Sequence, residues 1–266
     1  MGKIIMIASG KGGTGKTTLS ANLGAALAMH GKLVLLSDMD IGLRNLDVAL
    51  GLESNIVYDI LDVLDGNCTL DEALVKDNRY ENLYFMAAPQ TRSAAEADTD
   101  KLKEFWTEIK GRFDYCITDA PAGIEGGFGY AMLCADAAII VTIPETAALR
   151  DADRVITILE ENGIADIRLV LNRIRPDMIE KGIMMNIDSC LDILQVPVLG
   201  IVCEDEQLTV SALRGSLAVS EENSKAGTAF KNTARRLLGE EVPIMNMEEK
   251  KQGFFEKLKL IFSKRN

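Results

Sequence analysis

Nine residues near the start of the chain, Gly10-Lys11-Gly12-Gly13-Thr14-Gly15-Lys16-Thr17-Thr18, set the strongest limit on what it can become. They fit the pattern G-x-x-x-x-G-K-[ST]. Glycines let the backbone curl until several N–H groups point inward, and such a concave array of donors attracts an anion. The flanks agree: Lys3-Ile4-Ile5-Met6-Ile7-Ala8 reads as a buried parallel strand, and Thr17 to His30 reads as a helix. Strand, glycine loop and helix start bring the loop's donors and the positive end of a helix dipole to one place. In that setting Gly12, Gly13, Thr14, Gly15, Lys16, Thr17 and Thr18 cradle phosphate. Lys16 supplies charge to the β- and γ-phosphates, and the Thr17 hydroxyl is a ligand for magnesium. The expected ligands are therefore a nucleotide and Mg2+. Lys11 is not required by the pattern. By itself it is either a solvated loop lysine or a residue with a separate task.

The rest of the chain alternates short runs rich in Val, Ile and Leu with longer helical patterns. Leu33–Ser37, Leu83–Ala87, Tyr115–Asp119, Ala137–Ile143, Ile167–Asn172 and Val198–Val202 read as strands; Asp100–Arg112, Glu125–Ala135 and Ala148–Asn162 read as amphipathic helices. Near-continuous apolar strands separated by helices predict a mostly parallel, doubly wound α/β sheet covered on both faces. No Pro/Ser-rich linker and no repeat interrupts it. One phosphate-loop NTPase domain is expected over residues 1–240, followed by a tether at 241–252 and a separate amphipathic helix at 253–266.

Composition removes several alternatives. The chain has 266 residues, 47% of them hydrophobic, and contains no run of about 18 apolar residues that would span a membrane. It passes from Met1 straight into the first strand without a signal-peptide pattern, so export is not expected. Five cysteines show no C-x-x-C pair and sit mostly among apolar neighbours, as reduced cytoplasmic thiols do. The single histidine, His30, falls at a helix end, where it serves the dipole better than it serves catalysis. The net charge of −11 argues against general affinity for nucleic acid.

In a parallel sheet, ligands bind beyond the carboxyl ends of the strands. Asp38 and Asp40 follow the second strand, Asp119-Ala120-Pro121-Ala122-Gly123 follows the Tyr115–Thr118 run, and Asn172-Arg173 follows Leu169–Leu171. All fall on the edge that carries the phosphate loop. Asp119 is placed to hold the water shell of magnesium, against the plainer reading of a turn cap. Pro121 and Gly123 suit a loop that responds to the γ-phosphate. Asp38 and Asp40 could be a helix cap and a solvated charge. Near a bound cation one of them could instead position water.

The last residues carry a different signal. Phe254, Phe255, Leu258, Ile261 and Phe262 gather on one face at about 100° per residue, with Lys257 and Lys264 at its borders. From Lys250 to Asn266 six basic residues stand against one acidic, a net +5 that leaves −16 on the other 249 residues of a chain whose total is −11. An apolar stripe with lysine borders describes a helix lying in a membrane interface. The plainer reading is a terminal helix docked on the protein's own core.

Lys11-Gly12-Gly13-Thr14-Gly15-Lys16-Thr17 resembles the deviant Walker A signature K-G-G-x-G-K-[ST] of the ParA/MinD ATPases. Asp38-Met39-Asp40-Ile41-Gly42-Leu43-Arg44-Asn45-Leu46-Asp47 resembles the first switch of that family's division-site branch, and Asp119 to Glu125 its second. Arg150-Asp151-Ala152-Asp153-Arg154 resembles a further segment. The resemblance implies a slow Mg-dependent ATPase that pairs into a homodimer around ATP. In it Lys11 reaches the partner's phosphates, Asp40 is catalytic with Lys11 and Lys16, and Asp38 supports the switch. Asn172 and Arg173 lie near adenine, the Val202–Asp205 loop closes over it, and Asp151 lies near the dimer interface. It further implies peripheral attachment to anionic lipids at the inner face of the cell membrane and recruitment of a MinC-type inhibitor of septum formation. A MinE-type activator or a polar scaffold protein would stimulate hydrolysis. The alternative within the superfamily is a ParA-type DNA- or cargo-partitioning ATPase.

Overall fold

A computed structural model describes residues 1–40, 44–89, 98–124 and 127–244. The first half runs β1 (Lys3–Ala8), α1 (Lys16–Met29), β2 (Val34–Asp38), α2 (Leu46–Leu50), α3 (Ile60–Leu64), α4 (Leu70–Ala73), β3 (Val75–Lys76) and β4 (Leu83–Met86). Then come α5 (Thr99–Arg112), β5 (Tyr115–Asp119), α6 (Phe128–Cys134), β6 (Ala137–Thr142), α7 (Thr146–Glu161) and β7 (Ile167–Ile174). The chain closes with α8 (Pro176–Glu180), α9 (Ile187–Leu194), β8 (Val198–Cys203), α10 (Glu206–Leu213) and α11 (Lys225–Leu237). The strands form one sheet in the order β3-β4-β2-β5-β1-β6-β7-β8. Only the β3–β4 pairing is antiparallel, so the predicted doubly wound parallel sheet is present.

The apolar runs are continuous because both faces of the sheet are buried. In β1, Ile4, Met6 and Ala8 enter one core with Trp106, Phe128, Leu149 and Val155, while Ile5 and Ile7 enter the other with Leu23, Leu27 and Phe230. The two-residue side-chain period of a strand thus feeds two cores from one stretch of sequence. Helix α1 is buried along nearly its whole length, and its small residues Ala21, Ala25 and Ala26 let it lie close to the sheet.

Several elements escape the hydrophobic pattern and declare themselves through caps. Asp59 with Asp62, and Thr69 with Glu72, form capping boxes that start α3 and α4. Asn186, Asp205 and Ser224 accept backbone N–H groups at the starts of α9, α10 and α11. Asp205 serves two helices at once: its other oxygen accepts the Ser224 hydroxyl at 2.8 Å and the Ala226 N–H at 2.9 Å. At the far end of the sheet, Arg236 donates to the carbonyls of Leu199, Val242 and Pro243, and Ile244 is buried beside them. Residues 241–244 of the predicted tether therefore lie against the domain. The predicted membrane residues Phe254, Phe255, Lys257, Leu258, Ile261, Phe262 and Lys264 fall outside the described residues.

Phe230, on α11, is among the largest fully buried side chains and anchors that helix on the α1 face. Phe230→Ala is expected to cost about 3–5 kcal/mol of stability, read as a lower urea midpoint with an unchanged slope.

Candidate functional site

Strand β1 runs between β5 and β6, and its register pairs Ile7 with Asp119. The chain leaving it is therefore delivered beside the carboxylate that ends β5. The loop is then held from three sides. Ser9 accepts the Gly123 N–H at 3.0 Å and its hydroxyl donates to the Lys11 carbonyl at 2.9 Å. Gly10 packs on α7 so closely that a Cβ would stand 2.3 Å from the Asp151 carbonyl. Asn172 Nδ2 donates to the Thr14 carbonyl at 2.8 Å, and the same amide leaves no room for a side chain at Gly15, whose φ is +98°. Outward, the loop is open: a Cβ on Gly13 would meet nothing within 4 Å.

Behind the loop lies a set of acids around one lysine. The Asp119 carboxylate accepts the Thr17 hydroxyl at 2.6 Å and the Ser20 hydroxyl at 2.9 Å. Burial pushes Asp119 above the ordinary carboxylate range, against the opposing pull of Thr17, Lys16 and Ser20. Burial also raises Asp40, with the Lys16 ammonium pulling it down. Asp38 is pushed up to about 7 by burial first and by the Asp119 charge second. Its two oxygens accept three backbone N–H groups, from Asp40 at 2.9 Å, Asn45 at 3.1 Å and Leu46 at 3.0 Å. Asp38 thus caps α2 from eight residues away and holds the segment proposed by resemblance as a first switch at both ends. Ile41, Gly42 and Leu43 of that switch, and Glu125 of the second, lie outside the described residues.

These residues fit a magnesium-bound nucleotide. The loop faces open space at Gly13, Lys16 begins α1, and the Thr17 hydroxyl and the Asp119 carboxylate converge on one point. Among the described residues no cluster of three or more His, Cys, Asp or Glu could hold a metal by itself. Magnesium is commonly bound through one or two protein oxygens together with phosphates and water, and Thr17 and Asp119 offer such oxygens.

Beside the loop a cleft of about 440 Å³ is lined by Gly15 and Thr18 of the loop, Asn172 and Arg173, and the Cys203–Asp205 segment. Arg173 adopts a positive φ of +54° at an irregularity in the β7–β8 pairing. That bend separates Asn172, buried under the loop, from Arg173, exposed at the cleft. The predicted loop, Asn172, Arg173, Asp38, Asp40 and Asp119 are therefore brought to one edge. Lys11 stands outside the cluster, exposed, with its ammonium 3.5 Å from Glu145 at the start of α7. Asp151 is exposed on the same helix, and its backbone and Cβ pack against the loop at Gly10. Sequence reasoning missed Ser20, Glu145 and the cleft wall from α10. A serine one turn into a helix and a glutamate before one are ordinary residues, with no signal until the fold places them.

Strand, glycine loop, lysine at the helix start and a carboxylate at the end of the next strand define a phosphate-loop nucleotide-binding protein. The family model for the CobQ/CobB/MinD/ParA nucleotide binding domain matches residues 5–218, and the chain belongs to that family. It is 47% identical over 268 residues to the septum site-determining protein MinD of Bacillus subtilis (strain 168), covering 100% of each chain. Its fold is similar to that of a MinC:MinD cell division protein complex from Aquifex aeolicus, with a TM-score of 0.86, 46% identity, and 91% of this chain and 98% of that chain covered. It is also similar to the septum site-determining protein MinD of Pyrococcus horikoshii OT3 complexed with Mg-ADP. There the TM-score is 0.80 at 35% identity, with 89% and 96% of the two chains covered.

The Asp38 environment predicts a pH dependence. In the folded protein Asp38 keeps its proton up to about 7, whereas the unfolded chain releases it near 3.8. Between those values the folded state holds more protons, so this contribution is complete below 3.8 and is lost as pH rises through 7. The stability advantage of wild type over Asp38→Asn, from urea unfolding without nucleotide, is expected to be larger at pH 5 than at pH 7.5.

Proposed function

We propose that this chain is an ATP-driven switch of division-site placement. Its ATP-bound homodimer attaches to the inner face of the cell membrane and recruits a MinC-type inhibitor of septum formation, and hydrolysis releases it. The observation that carries this reading is Lys11, a second loop lysine held outside the phosphate cradle by one exposed ion pair. The full-length similarity to a septum site-determining protein supports it.

The chemistry divides among the residues of the site. The loop N–H groups and Lys16 bind the triphosphate, and Thr17 and Asp119 hold the cation. Magnesium, when bound, offsets charge on the β- and γ-phosphates. Asp40, raised by burial, is a stronger base than a solvated aspartate and orients the attacking water. Asp38 keeps that loop in place through its three N–H bonds. Lys11 completes the site from the other protomer, as a cation that stabilises charge in the transition state. An exposed pair such as Lys11–Glu145 is worth at most about 1 kcal/mol, so its release opposes pairing only weakly. Hydrolysis by an unpaired chain is then slow, and a MinE-type activator or polar scaffold sets its timing.

Attachment follows from the tail. Among the described residues no helix is long and apolar enough to cross a membrane. A short amphipathic helix with basic borders gains on the order of 1 kcal/mol per basic residue from anionic lipid, against the entropy of ordering it. One such anchor is marginal. Two on a dimer gain roughly 10²–10⁴-fold through effective concentration.

Two experiments test this. Lys11→Ala should lower ATP hydrolysis by about 10³-fold, the worth of a cation supplied in trans, while ATP still binds. An unchanged rate would remove Lys11 from the mechanism. In sedimentation with anionic vesicles, wild type should pellet more with ATP than with ADP, and Phe255→Asp with Leu258→Asp should stay in solution while binding ATP. Retention of DNA without retention on lipid would instead favour a partitioning ATPase.

A further inference from the structure

Arg79 lies outside the nucleotide cleft yet holds two of its walls. Its guanidinium forms a bidentate pair with Asp77, Nε to Oδ1 at 3.1 Å and Nη2 to Oδ2 at 2.6 Å. Asp77 is buried to 1% exposure and also accepts the Arg79 backbone N–H at 2.7 Å. The arginine is thus fixed within its own turn, with Tyr80 stacked on it and hydrogen-bonded to Ser220.

Its other bonds go far along the chain. Nη2 donates to the Leu50 carbonyl and Nη1 to the Gly215 carbonyl, each at 2.6 Å. Leu50 ends α2, and Gly215 lies in the turn after α10. The neighbours of these two carbonyls, Ala49 on one side and Ser216 and Leu217 on the other, line the cleft beside Gly15 and Asn172. The opposite end of α2 is held by Asp38 through Asn45 and Leu46. A five-residue helix is therefore pinned at one end by an acid of the first switch and at the other by Arg79. A cation also suits the carbonyl end of a helix. Serving a carboxylate and two carbonyls at once needs the planar five-donor fork of arginine, which lysine lacks.

We propose that Arg79 is a positioning residue for nucleotide use: it fixes the distance between α2 and the Gly215 turn and, through α2, ties the fit of the nucleoside to the Asp38–Asp40 loop. This rests on the nucleotide-switch reading above. A mere fold staple would make the same bonds but would not discriminate between ligands.

ADP fills both the cradle and the cleft, whereas inorganic tripolyphosphate reaches only the cradle. Both are titrated with magnesium into the full-length wild type, Arg79→Lys and Arg79→Gln, and the KM for ATP is measured alongside. The Kd for ADP should rise about tenfold in Arg79→Gln, the scale of one lost hydrogen bond to a charged group. Arg79→Lys should lose less. Tripolyphosphate affinity should stay within about twofold, and the KM for ATP should follow ADP. Equal weakening of both ligands, or unchanged ADP affinity in both variants, would overturn the positioning role. Should the variants not fold, amide exchange on wild type decides: ADP but not tripolyphosphate should protect residues 46–50 and 215–220 together, and protection of one segment alone would overturn the idea. Wild type that binds tripolyphosphate but not ADP would sink the nucleotide reading itself, so the two failures are distinguishable.

Discussion

The contact between Asp119 and the first turn of α1 is the constraint on which the site depends. One buried carboxylate accepts Thr17 at 2.6 Å and Ser20 at 2.9 Å, and so joins the end of β5 to the start of the helix that follows the loop. An ionised carboxylate is expensive to bury without partners. Here burial shifts its proton affinity upward while two hydroxyls and the Lys16 charge pull it back. The same hydroxyl that satisfies it in the free protein is the one the loop motif assigns to magnesium.

The second acid pair is arranged differently. Asp38 accepts three backbone N–H groups, from Asp40, Asn45 and Leu46, and so ties the end of β2 to the start of α2. Asp40, less buried, remains free to meet solvent at the loop's rim. The strand ends at Asp38, so Asp38 is held buried at its end while Asp40 lies beyond it and is only partly buried, which explains how near neighbours acquire such different work. Lys11 is the complement: it sits on the solvent side, near the N-terminal end of α7, with its ammonium paired to Glu145 among the described residues.

Much of this was legible in the sequence because the informative residues are constrained by backbone geometry. The loop glycines, the apolar strands and the acids at strand ends are set by local rules, and the structure places them as those rules require. Helices α2 to α4 and α8 are too short, at four or five residues, to show a period. Helix α11 is strongly amphipathic, with Ala226, Ala229, Phe230, Thr233 and Ala234 on its buried face. Caps add a second signal, as Thr69-x-x-Glu72 does before α4. Asn172, placed near the base by resemblance, lines the cleft, and its amide also braces the loop at Thr14, a bond no local pattern announces. Glu145 and Arg79 depend on partners 134 and 136 residues away, and no local pattern encodes such distances.

The two margins of the sheet bear on how copies of this protein can meet. At one margin β3 is two residues long and antiparallel, too short to template another strand. At the other, the Leu199 carbonyl of β8 is occupied by Arg236, whose guanidinium also takes the Val242 and Pro243 carbonyls. Short or covered margins are how soluble sheets avoid joining edge to edge. Self-association by continuing the sheet is thereby discouraged at both ends, which steers encounters between copies away from aggregation-prone strand pairing and toward other faces of the molecule.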